Sequence, residues 1–282
     1  MAKTAEVNSL SRYIHVPGIF CDKDPSVPVD LHDRHIQFVT HIKRYSGYVV
    51  RNFTAIEEQL PTLLERFTSH VAPGQHFEMG RMPVPLVLYC KAVLIASMCR
   101  ELFSHFESET FSSDAATFVI SHEPSEQFAR RMRAREQYNV IMGTDALALR
   151  GCDAPFRSWF QGVLHRLKTA WTATEADWTQ TFIGSQELEK QVWEVGRQVW
   201  ALHRLTQSFP LLPRLLRMPF GTIPTSQCCK SHYNEEAADV DVPAEEVDAL
   251  RPVFTDGLTV FCTVIPGIQL DNFVFQADVL WF

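Results

Sequence analysis

Residues 186–209, QELEKQVWEVGRQVWALHRLTQSF, decide the fold. Leu188, Val192, Val195, Val199, Leu202 and Leu205 recur at steps of three and four, so one apolar stripe runs along a helix, with Trp193 and Trp200 beside it. Ser185 stands at the N-cap. Glu187 and Glu189 follow in the first turns, where the helix dipole favours negative charge. Phe209-Pro210 stops the helix, and Pro213 reinforces the break.

Working toward the N-terminus, Asp153 caps a preceding helix with Pro155 in its first turn. Its stripe of Phe156, Trp159, Phe160, Val163, Leu164, Leu167 and Trp171 is a dense aromatic core face. A charged helix is predicted over 125–147, closed by Gly151. Before it, residues 107–123 are polar, and the apolar burst Phe118, Val119, Ile120 reads as a brief strand or a packed loop. A strongly apolar helix runs from Pro83 or Pro85 to about Phe106. The loop 71–82 leads into it. Asp30 is placed as the N-cap of a long helix with the stripe Leu31, Phe38, Ile42, Tyr45, Val49, Phe53, Ile56, Leu60, which Pro61 ends or kinks. Residues 1–29, with Pro17, Pro25 and Pro28, are expected to be a loosely ordered extension.

Toward the C-terminus the character changes after Gly221. Residues 231–250 carry seven acidic side chains and no Lys or Arg, which reads as a solvated loop, or at most a short helix after Pro243. Two strand-like runs follow, 258–265 (LTVFCTVI) and 273–282 (FVFQADVLWF). Pro266-Gly267 and Asp271-Asn272 bracket their connection, so a β-hairpin with a longer loop is expected. The fold class is mainly α: a single helical domain over 30–282, of about five or six helices, closed by a small antiparallel hairpin.

Composition bounds the function. The chain has 282 residues, 46% hydrophobic and 21% charged, and a net charge of −7, which argues against a general nucleic-acid binder. No signal-type apolar run opens the chain, and the longest apolar stretch, 84–99, is short for a bilayer and interrupted by Lys91, so no membrane insertion is expected. Seven scattered cysteines suit free thiols in a reducing compartment.

Candidate chemistry is sparse. His32 and His35 lie one helical turn apart with His41 beyond, too few ligands for a metal site without partners elsewhere. Cys228-Cys229 with His232 lacks a second ligand pair, and Cys90 and Cys99 sit in the most apolar helix, where cysteine behaves as a small hydrophobe. Arg130, Arg131, Arg133 and Arg135 form a basic cluster able to meet phosphate or an acidic partner, or to pair with the acidic loop. His203, between Leu202 and Leu205, reads as a hydrogen-bonded core residue. No dinucleotide, P-loop, nucleophile-elbow or zincin motif occurs, and no catalytic, cofactor-binding or metal-binding residue is assigned.

Three segments together resemble a plant-specific family. Trp200-Ala201-Leu202-His203-Arg204-Leu205-Thr206-Gln207-Ser208-Phe209 is similar to a W-x-L-H-x-L-x-x-S-F motif of the family that holds the "gravitropic in the light" and IRK-interacting proteins. Cys99-Arg100-Glu101-Leu102-Phe103-Ser104-His105-Phe106-Glu107 resembles its C-R-x-hydrophobic-F-x-x-F-E segment. Val264-Ile265-Pro266-Gly267-Ile268, with the terminal strand, resembles its closing hairpin. The three occur in family order and cover roughly residues 85–282. The chain departs from the family at Phe156-Arg157-Ser158-Trp159, which keeps the aromatics without a following Cys and Lys, and at Ile268, where an aromatic is usual.

The resemblance implies a non-enzymatic, cytoplasmic signalling adaptor or scaffold, acting in gravitropic growth under red or far-red light or in receptor-kinase pathways. Its partner would be a receptor-like kinase cytoplasmic region or a light-signalling component. Physically, Trp200, Leu202, Leu205 and Phe209 read as core, Ser208 as bonding a carbonyl one turn back, and Pro266 and Gly267 as setting a turn. The arginine cluster and the acidic loop are the expected contact surfaces. The rival is a helical small-molecule-binding domain, with possible weak enzymatic activity, enclosing a pocket among Trp159, Trp171, Trp193 and Trp200. A third reading is a structural subunit of a larger assembly.

Overall fold

The computed structural model describes residues 27–54, 60–73, 86–108, 111, 124–172, 178, 182–209, 214–223, 229–232, 260–270 and 273–281. Among them the chain is mainly helical, with small strands toward the C-terminus. Seven helices are present: α1 (Val27–Thr54), α2 (Leu60–Val71), α3 (Leu86–Leu102), α4 (Pro124–Met142), α5 (Ala146–Cys152), α6 (Ala154–Trp171) and α7 (Gln186–Gln207). The expected extension 1–29 lies outside the described residues except for its last three, which belong to α1.

Two local features raise the count above five or six, and the start of α1 also differs from expectation. Helix α1 begins at Val27, so Asp30 lies in its first turn, where it favours the dipole, and is not the cap. Pro61 is the second residue of α2, a position that needs no intrahelical N–H, so it opens a helix where the sequence suggested only an end. The charged segment expected over 125–147 is broken after Met142. Asp145 caps α5 by accepting from Leu147 N and Ala148 N, both at 3.0 Å. Arg197 of α7 donates from Nη1 to the carbonyls of Ile141 (3.1 Å) and Thr144 (3.2 Å), satisfying acceptors that the ending helix leaves open.

Helix α7 is central, with α1, α4, α5 and α6 packed around it. Its stripe is buried, and so are Trp193 and Trp200 on its flanks and Gln191, Gln198, His203 and Thr206. The polar ones find partners nearby: Gln191 Nε2 donates to Glu187 Oε1 (2.7 Å), and Gln198 Nε2 to Glu194 Oε1 (2.7 Å). Gly196 permits the close approach of α6, because a Cβ there would stand 2.7 Å from the Phe160 ring. Helix α3, nearly all apolar, packs against α1, α2, α6 and the sheet behind it.

Among the described residues six short strands form two three-stranded sheets: β1 (Arg214–Leu216), β2 (Cys229–Ser231), β3 (Val260–Ile265), β4 (Gly267–Leu270), β5 (Phe273–Phe275) and β6 (Ala277–Trp281). One sheet has the order β1-β4-β5, all antiparallel. The other has the order β2-β6-β3, with β6 antiparallel to β3 and parallel to β2. The two runs read as hairpin arms do pair, Val260 with Trp281 and Thr263 with Val279, but their connection is itself the β4–β5 pair.

Pro266 and Gly267 therefore do not make the turn expected of them. They mark where the chain leaves one sheet and enters the other. Pro266 brings no N–H to a ladder, which suits the crossing point. A Cβ on Gly267 would lie 2.3 Å from Phe275 O and 2.6 Å from Ala277 N, so backbone meets backbone there. The terminal run is likewise divided at Gln276. Its two sides are both covered, since Asp278 and Leu280 are buried along with Ala277 and Val279.

Candidate functional site

The three motif segments meet. After α3, residues 103–108 turn back across α7. His203 Nε2 donates to the Ser108 carbonyl at 2.7 Å. Its ring lies 5.4 Å from that of Phe106 and 4.0 Å from that of Phe111, which in turn stacks on Trp200 at 5.5 Å. Glu107 Oε1 accepts from Leu215 N of β1 at 2.8 Å, and the Phe103 carbonyl accepts from Arg217 Nη2. Strand β1 pairs with β4, where Leu216 faces Gly267. The segment from Cys99 to Ser108 thus clips the first sheet onto the helical body.

Trp200, Leu202, His203, Leu205 and Phe209 are buried in this joint. Ser208 is half-buried and donates to the Leu205 carbonyl at 2.6 Å, closing α7. Burial, with Arg204 nearby, pulls the His203 pKa down to about 3 against the opposing Ser108 bond, so the imidazole is neutral.

A Ser–His–carboxylate array with no sequence signature lies between α2, α3 and α6. Trp171 Nε1 donates to Ser97 Oγ at 2.5 Å. His70 Nδ1 lies 2.6 Å from the same hydroxyl, and His70 Nε2 donates to Glu101 Oε1 at 3.2 Å. Arg166 Nε donates to Glu101 Oε2 at 2.6 Å. The His70 bond and Arg166 hold Glu101 down to about 2 against burial. The order of groups is that of an activated nucleophile, but Ser97 is 0% exposed and its oxygen is already held by an indole. The array locks three helices together.

The metal candidates are dispersed. His35 Nε2 approaches the Pro266 carbonyl at 3.4 Å, and burial, set against Asp278, lowers His35 to about 4. His32 stacks on Phe275 at 5.9 Å, while His41 faces Glu194 at 3.7 Å. Cys228 lies outside the described residues. Cys229 is buried in β2. His232 and Lys230 both approach the buried carboxylate of Asp278 at 3.5 Å, and they keep it ionised below the usual carboxylate range despite burial. Among the described residues no group of three or more His, Cys, Asp or Glu is arranged to hold a metal. Cys90, Cys99, Cys152, Cys229 and Cys262 are free thiols, only Cys152 exposed.

The arginine cluster is split by the helix that carries it. Arg135 pairs with Asp30 of α1 at 2.7 Å and lies over the Tyr138 ring. Arg130 and Arg131 are half-buried on the inward side, and Arg133 is exposed. The acidic loop 235–248 falls outside the described residues, as does 118–120. On the outer side of α4, Phe128 (58% exposed), Met132 (46%) and Val140 (64%) present large apolar side chains to solvent. That face borders a cavity of about 360 Å³ between α4, α6 and α7, lined by Arg133, Glu136, Val140, Pro155, Trp200 and Arg204. The Arg204 guanidinium lies 4.5 Å from the Trp200 ring centroid, a cation–π contact at the cavity wall. The sequence singled out Arg133 and Trp200 separately; the fold brings them to one groove.

The four indoles of the rival reading fall into two clusters. Trp159 and Trp200 lie 5.3 Å apart and join Phe156, Phe160 and Trp193. Trp171 instead packs with Phe67, Trp178 and Phe182. They do not share a common pocket. No described helix is long and apolar enough to cross a membrane. Comparison with family models, with curated proteins and with solved structures finds no match to this chain.

Proposed function

We propose that the chain is a non-enzymatic protein-binding adaptor that engages its partner through the outer face of α4 and the adjoining groove. The observation that carries this reading is the set of exposed apolar side chains on α4, Phe128, Met132 and Val140, running beside Arg133 into a groove walled by Trp200 and Arg204. Monomeric surfaces scatter exposed large apolar groups singly; several on one helix beside a concave, arginine-lined wall mark an interface. Glu136 and Asp153 line the groove beside Arg133 and Arg204, so the matching partner presents an apolar anchor flanked by groups of both charges. The three motif resemblances support a role in plant growth signalling, with gravitropism, red or far-red light, or receptor kinases as the process and the cytoplasm as the compartment.

The test uses tagged full-length chain as bait in plant-cell lysate, in three forms: wild type, Arg133→Glu/Val140→Asp, and Lys190→Glu as an exposed control on another helix. Arg133, Val140 and Lys190 are exposed, so all three forms are expected to fold. Partners kept by wild type and by the control, and lost by the α4 variant, support the reading. The same partners on all three baits refute it.

A further inference from the structure

A second cavity, of about 300 Å³, lies between α3 and the β2-β6-β3 sheet. Its volume is at the lower end of the roughly 300–1,000 Å³ of small-molecule sites. Val71, Ala96, Met218, Phe220, Phe261 and Pro266 give it apolar walls. Cys99 and Cys262 complete the lining; burial pushes both thiols up, so they present neutral S–H groups. The outer rim is fixed in place. Thr263 Oγ1 accepts from Met218 N at 2.7 Å, and Gly221 and Thr222 bond to Val260 at 2.9 and 2.8 Å. Phe220 stands 46% exposed at the mouth.

Two guanidiniums enter this apolar hollow, those of Arg100 and Arg217. Arg100 donates to the His70 carbonyl and Arg217 to the Phe103 carbonyl. A guanidinium has five N–H donors, so one carbonyl apiece leaves most of them unused. Among the described residues neither has a carboxylate at ion-pair distance. Glu107 bonds Leu215 N through Oε1 and acts on Arg217 from beyond ion-pair distance, while Glu101 is held by His70 and Arg166. Burial and the neighbouring Arg100 both lower the Arg217 pKa, against the pull of Glu107. Arg100 and Arg217 are exposed at the edge of the cavity, with Glu107 acting on Arg217; side by side on an apolar wall, they turn guanidinium donors toward a position that a carboxylate fits.

We propose that this cavity binds a small apolar carboxylate, its anionic end held by Arg100 and Arg217 and its hydrocarbon body laid against Phe220 and Phe261. The site is remote from the α4 groove in sequence and stands whether or not α4 docks a partner. Octanoate and its neutral analogue octanamide, titrated calorimetrically into the full-length chain, are the test. The expected result is tighter binding of octanoate by at least about tenfold, the contribution of a charge-assisted hydrogen bond. Arg100→Met and Arg217→Met are each expected to erase that preference, and Phe220→Ala to weaken both probes alike. Thermal melts check that each variant is folded. Equal affinity for the two probes, no binding of either, or a preference that survives both arginine substitutions overturns the proposal; the first two outcomes need the wild-type chain alone.

Discussion

His203 on α7 donates to the backbone carbonyl of Ser108, 2.7 Å away, and this bond ties one motif segment to the residue that directly follows another. It is made by a neutral ring, 0% exposed, packed between Phe106, Phe111 and Trp200. The motif residues therefore build a joint between the helical body and the first sheet. The surfaces available for recognition lie on either side of that joint: the α4 groove behind Trp200 and the cavity behind Cys99 and Arg100.

The buried imidazole makes stability pH-dependent with a definite sign. In the unfolded chain His203 titrates near 6.5, and in the folded chain near 3. Between those values the unfolded state binds a proton that the native state does not. The contribution of the neutral ring is complete above 6.5 and is lost as pH falls toward 3, with a slope of up to about 1.4 kcal/mol per pH unit. His35, lowered to about 4, adds in the same direction. His203→Gln keeps a donor for Ser108 but does not titrate, so urea unfolding between pH 4 and 6.5 is expected to show a flatter dependence than wild type. An unchanged slope would mean that His203 is not held neutral.

Ser97 supports a second prediction. Its hydroxyl is the acceptor for the Trp171 indole at 2.5 Å, and both side chains are fully buried. Ser97→Ala leaves that N–H without a partner, at a cost of about 2 kcal/mol. The companion Trp171→Phe removes the orphaned donor, so the two changes together are expected to cost less than the sum of the singles. Strict additivity in chemical denaturation would show that the bond carries no energy of its own.

The helices were legible in the sequence wherever an apolar period and a cap coincided. Ser185 and Asp153 do cap α7 and α6, accepting from Leu188 N and Phe156 N. Leu31, Phe38, Ile42, Tyr45 and Val49 do form the buried side of α1. What escaped depends on contacts distant in sequence. The break between α4 and α5 is held by Arg197, more than fifty residues away. Asp278 drew no notice in the sequence, because its surroundings depend on β2 pairing on one side of its strand and β3 on the other, with Lys230 and His232 close to its charge. The candidate surfaces were half legible: Arg133 and Trp200 were each conspicuous, but nothing in their spacing says that α4 and α7 set them on one groove. Arg217 carried no signal, because its role depends on a turn after α3.

The sheet crossing at Gly267 is tested most directly by a single methyl. An alanine Cβ there would stand 2.3 Å from Phe275 O and 2.6 Å from Ala277 N, both backbone atoms that cannot swing aside as a side chain would. Gly267→Ala must therefore push β4 away from the β5–β6 junction and strain its pairing with β1 as well. The expected cost is about 3 kcal/mol, at the upper end for overpacking. Gly151→Ala in α5, with nothing within 4 Å of the added carbon, is the matched control. It is expected to stay within about 1 kcal/mol of wild type and to lean toward stabilisation, because alanine restricts the unfolded chain and favours the helix. The comparison is read from urea midpoints at constant slope. If the two alanines shifted the midpoint equally, the close backbone approach at Gly267 would not exist in solution. In that case the chain would pass from β3 to β4 through an ordinary turn, as the sequence suggested.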